Sequence, residues 1–298
     1  MWQDLLQQIK QGDVKTLARS ISLVENEQPG YETLLQLLPV SNTKIIGITG
    51  PPGAGKSTLV DSLIGLLVNE GKKVAVLCID PSSPFNLGAL LGDRIRMSKW
   101  YIHPAVFIRS LATRGSMGGL HPKIIEITDL LKTFHFDHII VETVGVGQSE
   151  IEIAGLADVT VVVVVPEAGD EVQTMKAGLM EIADIFVVNK SDRPGADTYV
   201  KNLRMMLAAA FSAHYNEVPV VKTVALQNEG VKDLLDIILH QLQKAHLPDK
   251  KFWLLAERAF SLIEQKRMKD IDKTNLKKEI ETAYQKGGFN LYQFIAGK

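Results

Sequence analysis

The sequence predicts an α/β fold: a mostly parallel sheet of about seven strands with helices on both faces. Short runs rich in valine and isoleucine recur along the chain, most are separated by stretches with helical periodicity, and a glycine-rich loop joins the first run to a helix. Strands that alternate with helices form parallel sheets whose faces the helices cover. The apolar runs lie at residues 45–49, 74–79, 105–108, 138–141, 159–165, 184–188 and 219–224.

Helical patterns without strands flank this alternating centre. Within residues 1–40, Asp13 is placed to cap a helix that carries Leu17 and Ile21. Residues 246–298 are charged and helical in pattern. We therefore expect an N-terminal helical extension (1–40), a sheet domain (41–245) and a C-terminal helical arm (246–298).

Composition narrows the classes of function. The 298 residues are 46% hydrophobic, which allows a substantial core, and 33 Lys+Arg against 34 Asp+Glu give a net charge of -1. No global field therefore draws the chain to nucleic acid or to an anionic membrane. The longest apolar run, Val159 to Pro166, is too short to cross a bilayer. The single cysteine, Cys78, lies in an apolar run and predicts a buried thiol, which suits the cytoplasm.

The loop after the first apolar run matches a phosphate-binding motif. Residues 50–57, GPPGAGKS, fit G-x-x-x-x-G-K-[ST] between a strand and a helix. Glycines let backbone N–H groups turn toward phosphate oxygens, and the helix adds the positive end of its dipole. Lys56 would reach the β- and γ-phosphates, and the Ser57 hydroxyl would bind Mg²⁺. The predicted nucleotide-binding residues of this loop are Gly50, Pro51, Pro52, Gly53, Ala54, Gly55, Lys56, Ser57 and Thr58.

A second motif, Asn189-Lys190-Ser191-Asp192, follows the apolar run that ends at Val188. The Asp192 carboxylate can accept hydrogen bonds from N1–H and the exocyclic amine of guanine, an edge that adenine does not offer. Lys190 would lie along the face of the base, and Asn189 would brace the loop. The predicted nucleotide is therefore GTP or GDP.

A third loop lies at the end of the last apolar run. There the backbone N–H groups of Val224, Ala225 and Leu226 are placed to reach the guanine oxygen. Without the other two motifs, this segment would read as an ordinary loop.

Two carboxylates stand where strands end beside the phosphate-binding loop. Asp80 and Glu142 each follow an apolar run directly, so both fall at the edge of the sheet that holds Ser57. Carboxylates in this place hold Mg²⁺ or its water in P-loop enzymes. Gly145 then has the spacing of a turn whose N–H contacts the γ-phosphate.

Several further strings carry a family resemblance: ARSISLVEN (18–26), DPSSP (80–84), LGDRIRM (91–97), ATRGSMGGL (112–120) and VETVGVGQSE (141–150). With them the chain resembles the GTPases associated with methylmalonyl-CoA mutase, the MeaB/MMAA family, also labelled ArgK or LAO/AO transport kinase, of the SIMIBI class of P-loop proteins. The resemblance runs from about residue 15 to 245. It implies a homodimeric GTPase chaperone that gates adenosylcobalamin delivery to, and protects, methylmalonyl-CoA mutase or a related cobalamin-dependent acyl-CoA mutase. Residues 41–245 would then be the P-loop GTPase domain, and 246–298 the dimerisation arm.

The resemblance also implies roles for single residues. Asp80 and Asp93 match acidic residues near Mg²⁺ and its water, and Glu142 matches a Walker-B-like glutamate. Arg96 falls in a switch region, and Lys176 in a mobile loop (166–176) that communicates with the mutase. The expected catalytic residues are Lys56, Asp93, Arg96, Glu142 and Lys176, and the expected metal-binding residues are Ser57, Asp80, Asp93 and Glu142.

Two features depart from the usual pattern. The chain has His121-Pro122-Lys123 where the family usually has small residues and arginine. Gln148 lies three residues after Gly145 rather than directly after it, so Asp93 or Glu142 would have to orient the attacking water.

Two other functions stay open from the sequence. A GTPase that inserts nickel into hydrogenase or urease would need a cluster of thiolates or imidazoles, and this chain has one cysteine and 7 scattered histidines. A kinase of an amino-acid-binding transport protein would transfer phosphate to protein, for which no positioned base is evident.

Overall fold

The structure is a computed structural model that describes residues 2–80, 97–114, 120–145, 149–166, 177–210, 218–244, 249–268 and 271–297. The chain divides into two compact units, Met1–His246 and Leu247–Lys298. The larger unit contains the sheet, and the smaller unit is helical.

The sheet of the larger unit has seven strands, and all of its strand pairs are parallel. The strands are β1 (Lys44–Thr49), β2 (Val74–Asp80), β3 (Val106–Ala112), β4 (His138–Glu142), β5 (Val159–Val164), β6 (Ile185–Val188) and β7 (Val220–Lys222). Their order is β3-β2-β4-β1-β5-β6-β7. This arrangement confirms the predicted fold class. The strands β2, β3 and β4 lie on one side of β1, and β5, β6 and β7 lie on the other, so the carboxyl end of β1 is the switch point where ligands bind in such sheets.

Twelve helices are present among the described residues. They are α1 (Trp2–Lys10), α2 (Val14–Glu25), α3 (Tyr31–Gln36), α4 (Lys56–Asn69), α5 (Ile124–Leu131), α6 (Ser149–Leu156), α7 (Ala177–Ile182), α8 (Ala196–Ala210), α9 (Val231–Gln243), α10 (Asp249–Arg267), α11 (Lys273–Gln285) and α12 (Leu291–Ala296). No helix within these ranges is long and apolar enough to pass through a membrane.

Both faces of the sheet are buried, which explains the continuous apolar runs in the sequence. Along β2, Val74, Val76 and Cys78 face a core built with α4 and α9, while the alternate residues Ala75 and Leu77 face a second core. A strand covered on both sides has no polar face to show in its sequence. Cys78 is a buried thiol that forms no disulfide within the described residues, as predicted.

The N-terminal helices belong to the second core. Asp13 caps α2 as predicted, because its carboxylate accepts hydrogen bonds from the backbone N–H groups of Lys15 at 2.9 Å and Thr16 at 3.2 Å. Leu17 and Ile21 are fully buried and share this core with residues of β2 and α5. Residues 1–40 therefore pack with the sheet in one compact unit.

The two edge strands differ in length from the apolar runs that predict them. β3 continues to Ala112 and includes Arg109, whose guanidinium lies 2.7 Å from the Glu25 carboxylate of α2. Because this ion pair compensates the charge, the strand can carry an arginine. β7 ends at Lys222, since Val224 leaves the sheet to pair with Glu229 in a tight turn.

The smaller unit consists of α10, α11 and α12. Asp272 and Asn290 cap α11 and α12 through their side-chain oxygens. Its large apolar residues are mostly exposed, and they include Phe252, Trp253, Leu255, Phe260, Ile263, Tyr284 and Tyr292.

Candidate nucleotide-binding site

The phosphate-binding loop connects the end of β1 at Thr49 to the start of α4 at Lys56. Gly50, Gly53 and Gly55 all have positive φ, at 137°, 76° and 89°, a region in which other residues are strained. A side chain on Gly50 would also collide with the backbone carbonyl of Val163 in β5. The loop thus needs glycine for its path, which is the expected basis of a phosphate cradle.

Lys56 lies inside this loop. Its side chain is buried, and its Nζ donates hydrogen bonds to the carbonyl oxygens of Gly50 at 2.9 Å and Pro51 at 3.1 Å. Gly145 has φ 84°, and a Cβ built there would be 2.5 Å from Lys56 Nζ. The turn after β4 therefore packs directly on the lysine of the phosphate-binding loop.

A pair of buried hydroxyls fixes the start of that turn. Thr49 Oγ1 and Thr143 Oγ1 are 2.8 Å apart and share a hydrogen bond. The Thr143 N–H also donates to the carbonyl of Ile48 at 3.0 Å. These contacts hold the turn against β1 and bring Gly145 beside the phosphate-binding loop, while its contact to a γ-phosphate stays a prediction.

Two buried carboxylates, Asp80 and Glu142, lie at the carboxyl ends of neighbouring strands, and Glu142 contacts a hydroxyl of α4. Ser57 Oγ donates to Glu142 Oε1 at 2.7 Å. In the sheet, Glu142 lies in register with Ile48 of β1 and Cys78 of β2, and Asp80 ends β2 two residues further on. Hydroxyl and carboxylate oxygens are the ligands of Mg²⁺, which takes its other ligands from water and substrate phosphates. The residues present therefore fit the expected metal.

Three of the predicted catalytic side chains, Asp93, Arg96 and Lys176, lie outside the described residues, as does Gln148. Lys56 and Glu142 are the two that the structure describes. Their roles, and the metal role of Asp93, stay predictions.

Asn189 joins three loops at the end of the site where the sequence predicts that the base binds. It is 2% exposed, and its Nδ2 donates to the carbonyl of Ala54 in the phosphate-binding loop at 2.9 Å. Its Oδ1 accepts from Thr223 Oγ1 and from the Ala225 N–H, both at 3.1 Å. The two loops that the sequence predicts to contact guanine are therefore tied to each other and to the phosphate-binding loop.

The next residues of that motif are more exposed than Asn189. Lys190 is half-buried with φ 56°, and Asp192 is exposed. The Ser191 N–H donates to the carbonyl of Thr223 at 3.1 Å, which adds a backbone contact between the two loops.

The turn at 223–230 is closed by its own backbone. Val224 and Glu229 exchange hydrogen bonds, at 3.1 Å for the Val224 N–H and 3.3 Å for the Glu229 N–H. The Val224 N–H is thus engaged within the turn, and the Ala225 N–H is engaged by Asn189 Oδ1, so the Leu226 N–H is the better candidate for a contact to the base. Ala225 is buried, whereas Leu226 is 84% exposed.

Sequence reasoning missed one contact of this turn. Ser62 of α4 is buried, and its Oγ donates to the carbonyl of Ala225 at 2.9 Å. In the sequence, Ser62 is a single hydroxyl residue among the apolar residues of α4, which suggests a buried polar contact. The sequence does not show that its partner lies 163 residues away.

Two other polar clusters were also missed. At the end of β3, Glu25 pairs with Arg109 at 2.7 Å and with Arg114 at 3.2 Å. Beside α4, Asp61 accepts from Trp100 Nε1 at 2.6 Å and from Lys99 Nζ at 2.8 Å. Both clusters link segments that are far apart in the chain.

His121 lies near the first of these clusters. It is 1% exposed, and its Nδ1 accepts from the Lys123 N–H at 3.0 Å. The pKa of His121 is lowered to about 4, mainly because the imidazole is buried. The Glu25 carboxylate raises this pKa and the Arg114 guanidinium lowers it, but burial is the largest effect. The imidazole is therefore neutral at physiological pH.

Comparison with known proteins agrees with this geometry. The family model described as "Methylmalonyl Co-A mutase-associated GTPase MeaB" matches residues 17–275. A protein of Pyrococcus abyssi named as a GTPase is 51% identical over 244 residues, which cover 80% of this chain and 75% of that one. The GTPase ArgK of Escherichia coli is 39% identical over 245 residues, 78% of this chain and 74% of that one.

Three further matches bear on partners and fold. A fused isobutyryl-CoA mutase of Geobacillus kaustophilus is 35% identical over 258 residues, which cover 81% of this chain and 24% of that protein. A solved LAO/AO transport system kinase aligns with TM-score 0.70 and 26% identity over 99% of this chain and 95% of that one. The nickel complex of HypB from Helicobacter pylori aligns with TM-score 0.52 and 16% identity over 76% of this chain and 98% of that one, a likeness of fold alone.

Proposed function

This chain belongs to the family of methylmalonyl-CoA mutase-associated GTPases, and we propose that it binds GTP with Mg²⁺ in the cytoplasm and hydrolyses it to GDP and phosphate. The nucleotide cycle gates adenosylcobalamin delivery to, and protects, a cobalamin-dependent acyl-CoA mutase. Methylmalonyl-CoA mutase or a close relative is the intended partner.

The Asn189 network is the observation that carries the nucleotide part of this proposal. One buried amide side chain contacts the phosphate-binding loop and the 223–226 loop and belongs to the loop that ends in Asp192. A guanine base and its phosphates would therefore lie along one continuous, mutually braced surface. Asp192 selects guanine, because adenine would leave its carboxylate without the two donors that it accepts from.

The remaining residues divide the chemistry among them. Lys56 exchanges its carbonyl partners for phosphate oxygens, and the Gly145 N–H contacts the γ-phosphate. Ser57 and Glu142, with Asp80, would hold Mg²⁺ or its water, and a bound ion would supply positive charge beside the phosphate oxygens. Glu142 or Asp93 orients the attacking water.

The partner is supported by the relatives. A segment homologous to most of this chain occurs within a polypeptide named a fused isobutyryl-CoA mutase. In that polypeptide the GTPase-like segment and the mutase are covalently linked. A separate chain of the same family would instead associate with its mutase through a non-covalent complex. The homodimer is a further part of the proposal, with the arm 246–298 as its interface.

Single-turnover GTP hydrolysis tests the catalytic part. It is measured with and without an acyl-CoA mutase for the wild type, Arg96→Ala and Lys176→Ala, with the exposed Lys201→Ala as the matched control. We expect the mutase to accelerate the wild type and the control, and to accelerate both other variants less, because phosphoryl transfer needs positive charge beyond Lys56 and Mg²⁺. No stimulation of the wild type would refute the timing role, and equal stimulation of all variants would refute the role of the two cations.

A pull-down from the native cell tests the partner. Recovery of an acyl-CoA mutase with GTP- or GDP-loaded protein is expected. Recovery of an amino-acid-binding transport protein together with transfer of labelled γ-phosphate to it would favour the kinase function instead, and recovery of a nickel enzyme would favour metal insertion.

A further inference from the structure

The turn that follows β7 is held by side chains from two directions. Asn189 Oδ1 accepts from the N–H of Ala225 at 3.1 Å, and Ser62 Oγ donates to the C=O of Ala225 at 2.9 Å. The first bond fixes the peptide between Val224 and Ala225. The second fixes the peptide between Ala225 and Leu226.

Ser62 uses its hydroxyl in an uncommon way for a residue inside a helix. Serine in a helix interior often bonds back to the carbonyl four residues earlier or faces solvent. Here the hydroxyl is buried and reaches a loop 163 residues away. Because this buried hydrogen bond joins residues far apart in the chain, it fixes the position of the loop against α4.

The orientation of one N–H follows from that contact. A trans peptide is planar, and its C=O and N–H point in opposite directions. The C=O of Ala225 accepts from Ser62 Oγ and also from the Asn228 N–H at 3.2 Å, so Ser62 and the backbone of the turn together set the direction of the Leu226 N–H, which points away from Ser62. Leu226 is 84% exposed, so this part of the turn is accessible to a ligand.

Building on the proposed function, we infer that Ser62 is a positioning residue for guanine recognition. Through the C=O of Ala225, it helps to direct the Leu226 N–H toward the 6-oxygen of the base. Asp192 reads the other edge of the base, at N1–H and the amine. Ser62 and Asp192 thus serve different atoms of the same ring, and their contributions can be separated by choice of nucleotide.

The test is calorimetry on the full chain with three diphosphates. GDP and inosine diphosphate both carry the 6-oxygen, and 2-aminopurine riboside diphosphate lacks it. For Ser62→Ala we expect GDP and inosine diphosphate to bind roughly three- to tenfold more weakly, the value of about one hydrogen bond, and 2-aminopurine riboside diphosphate to change less than about twofold.

Ser20→Ala, a fully buried serine of α2, is the matched control and should leave all three affinities unchanged. Ser62→Cys keeps a near-isosteric side chain with a weak donor and should fall between wild type and alanine, which covers the case in which Ser62→Ala does not fold. An equal loss for all three nucleotides, or no loss for any, overturns the inference. If the wild type does not prefer GDP to ADP, the proposed function itself fails, and that outcome is distinct from the first.

Discussion

The two units of the chain bury their apolar side chains to very different degrees. In Met1–His246, Ile46 and Leu63 are 1% exposed, whereas in Leu247–Lys298 Phe252, Trp253 and Phe260 are 57%, 72% and 69% exposed. Exposed aromatic surface is unfavourable in water and marks interaction sites. The larger unit therefore has a complete core and the whole described nucleotide site, while the smaller unit is where we expect a second copy to bind.

Among the changes predicted here, removal of the smaller unit should have the largest effect, which is loss of the dimer. It should leave GDP binding almost unchanged. We expect a chain truncated before Leu247 to be monomeric, because the exposed apolar residues of α10 are gone, and to bind GDP as the full chain does. Light scattering gives the mass, and calorimetry gives the affinity. A folded, truncated chain that remains dimeric would place the interface elsewhere.

Asp192→Asn should have the next largest effect, and it should be the same in the full and truncated chains. GDP affinity should fall on the order of 10³-fold, because the amide cannot accept from both guanine donors. Affinity for xanthosine diphosphate should rise, since xanthine presents an acceptor where guanine has its amine. Calorimetry with GDP, ADP and xanthosine diphosphate measures this, and equal affinity of the wild type for ADP and GDP would contradict it.

His121 should make the larger unit lose stability in mild acid. Its pKa is about 4 in the folded chain against 6.5 as the ordinary value, so between these pH values the unfolded chain takes up a proton that the folded chain does not. This contribution to stability is fully present above pH 6.5 and is lost as the pH falls toward 4, by about 2 kcal/mol between pH 7.5 and 5.

Urea unfolding of the truncated chain at the two pH values measures that loss. His121→Asn is the matched variant, because its amide oxygen can still accept from the Lys123 N–H but does not titrate. A pH dependence equal to that of the wild type would show that His121 is not its source.

Lys222→Ala should have the smallest effect. Lys222 and Asp197 are 2.8 Å apart but 50% and 89% exposed, and exposed ion pairs contribute roughly 0–1 kcal/mol. We expect a change in unfolding free energy of less than about 0.5 kcal/mol, measured by urea unfolding. A larger change would mean that the edge at β7 is more tightly coupled to the core than its exposure indicates.

Features defined by neighbouring residues can be predicted from this sequence, whereas contacts between residues far apart in the chain cannot. Each strand contains or overlaps an apolar run, and the loops containing Lys56 and Asn189 are recognisable because neighbouring residues define them. The pairs Thr49 with Thr143 and Ser62 with Ala225 join residues 94 and 163 positions apart. Nothing in a single sequence shows that such residues meet. The same limit applies to residues 1–40, whose amphipathic helices are evident while the core that they join is not.

Helix α4 carries three of the side chains that organise this unit: Ser57, which contacts Glu142, Asp61, which contacts Trp100, and Ser62, which contacts Ala225. An α-helix advances 1.5 Å and turns about 100° with each residue. One residue inserted between Ser57 and Asp61 would therefore swing Asp61 and Ser62 about a quarter turn away from their partners while Ser57 stayed in place. The number of residues between Ser57, Asp61 and Ser62 in α4 therefore determines whether all three side chains reach their partners at once.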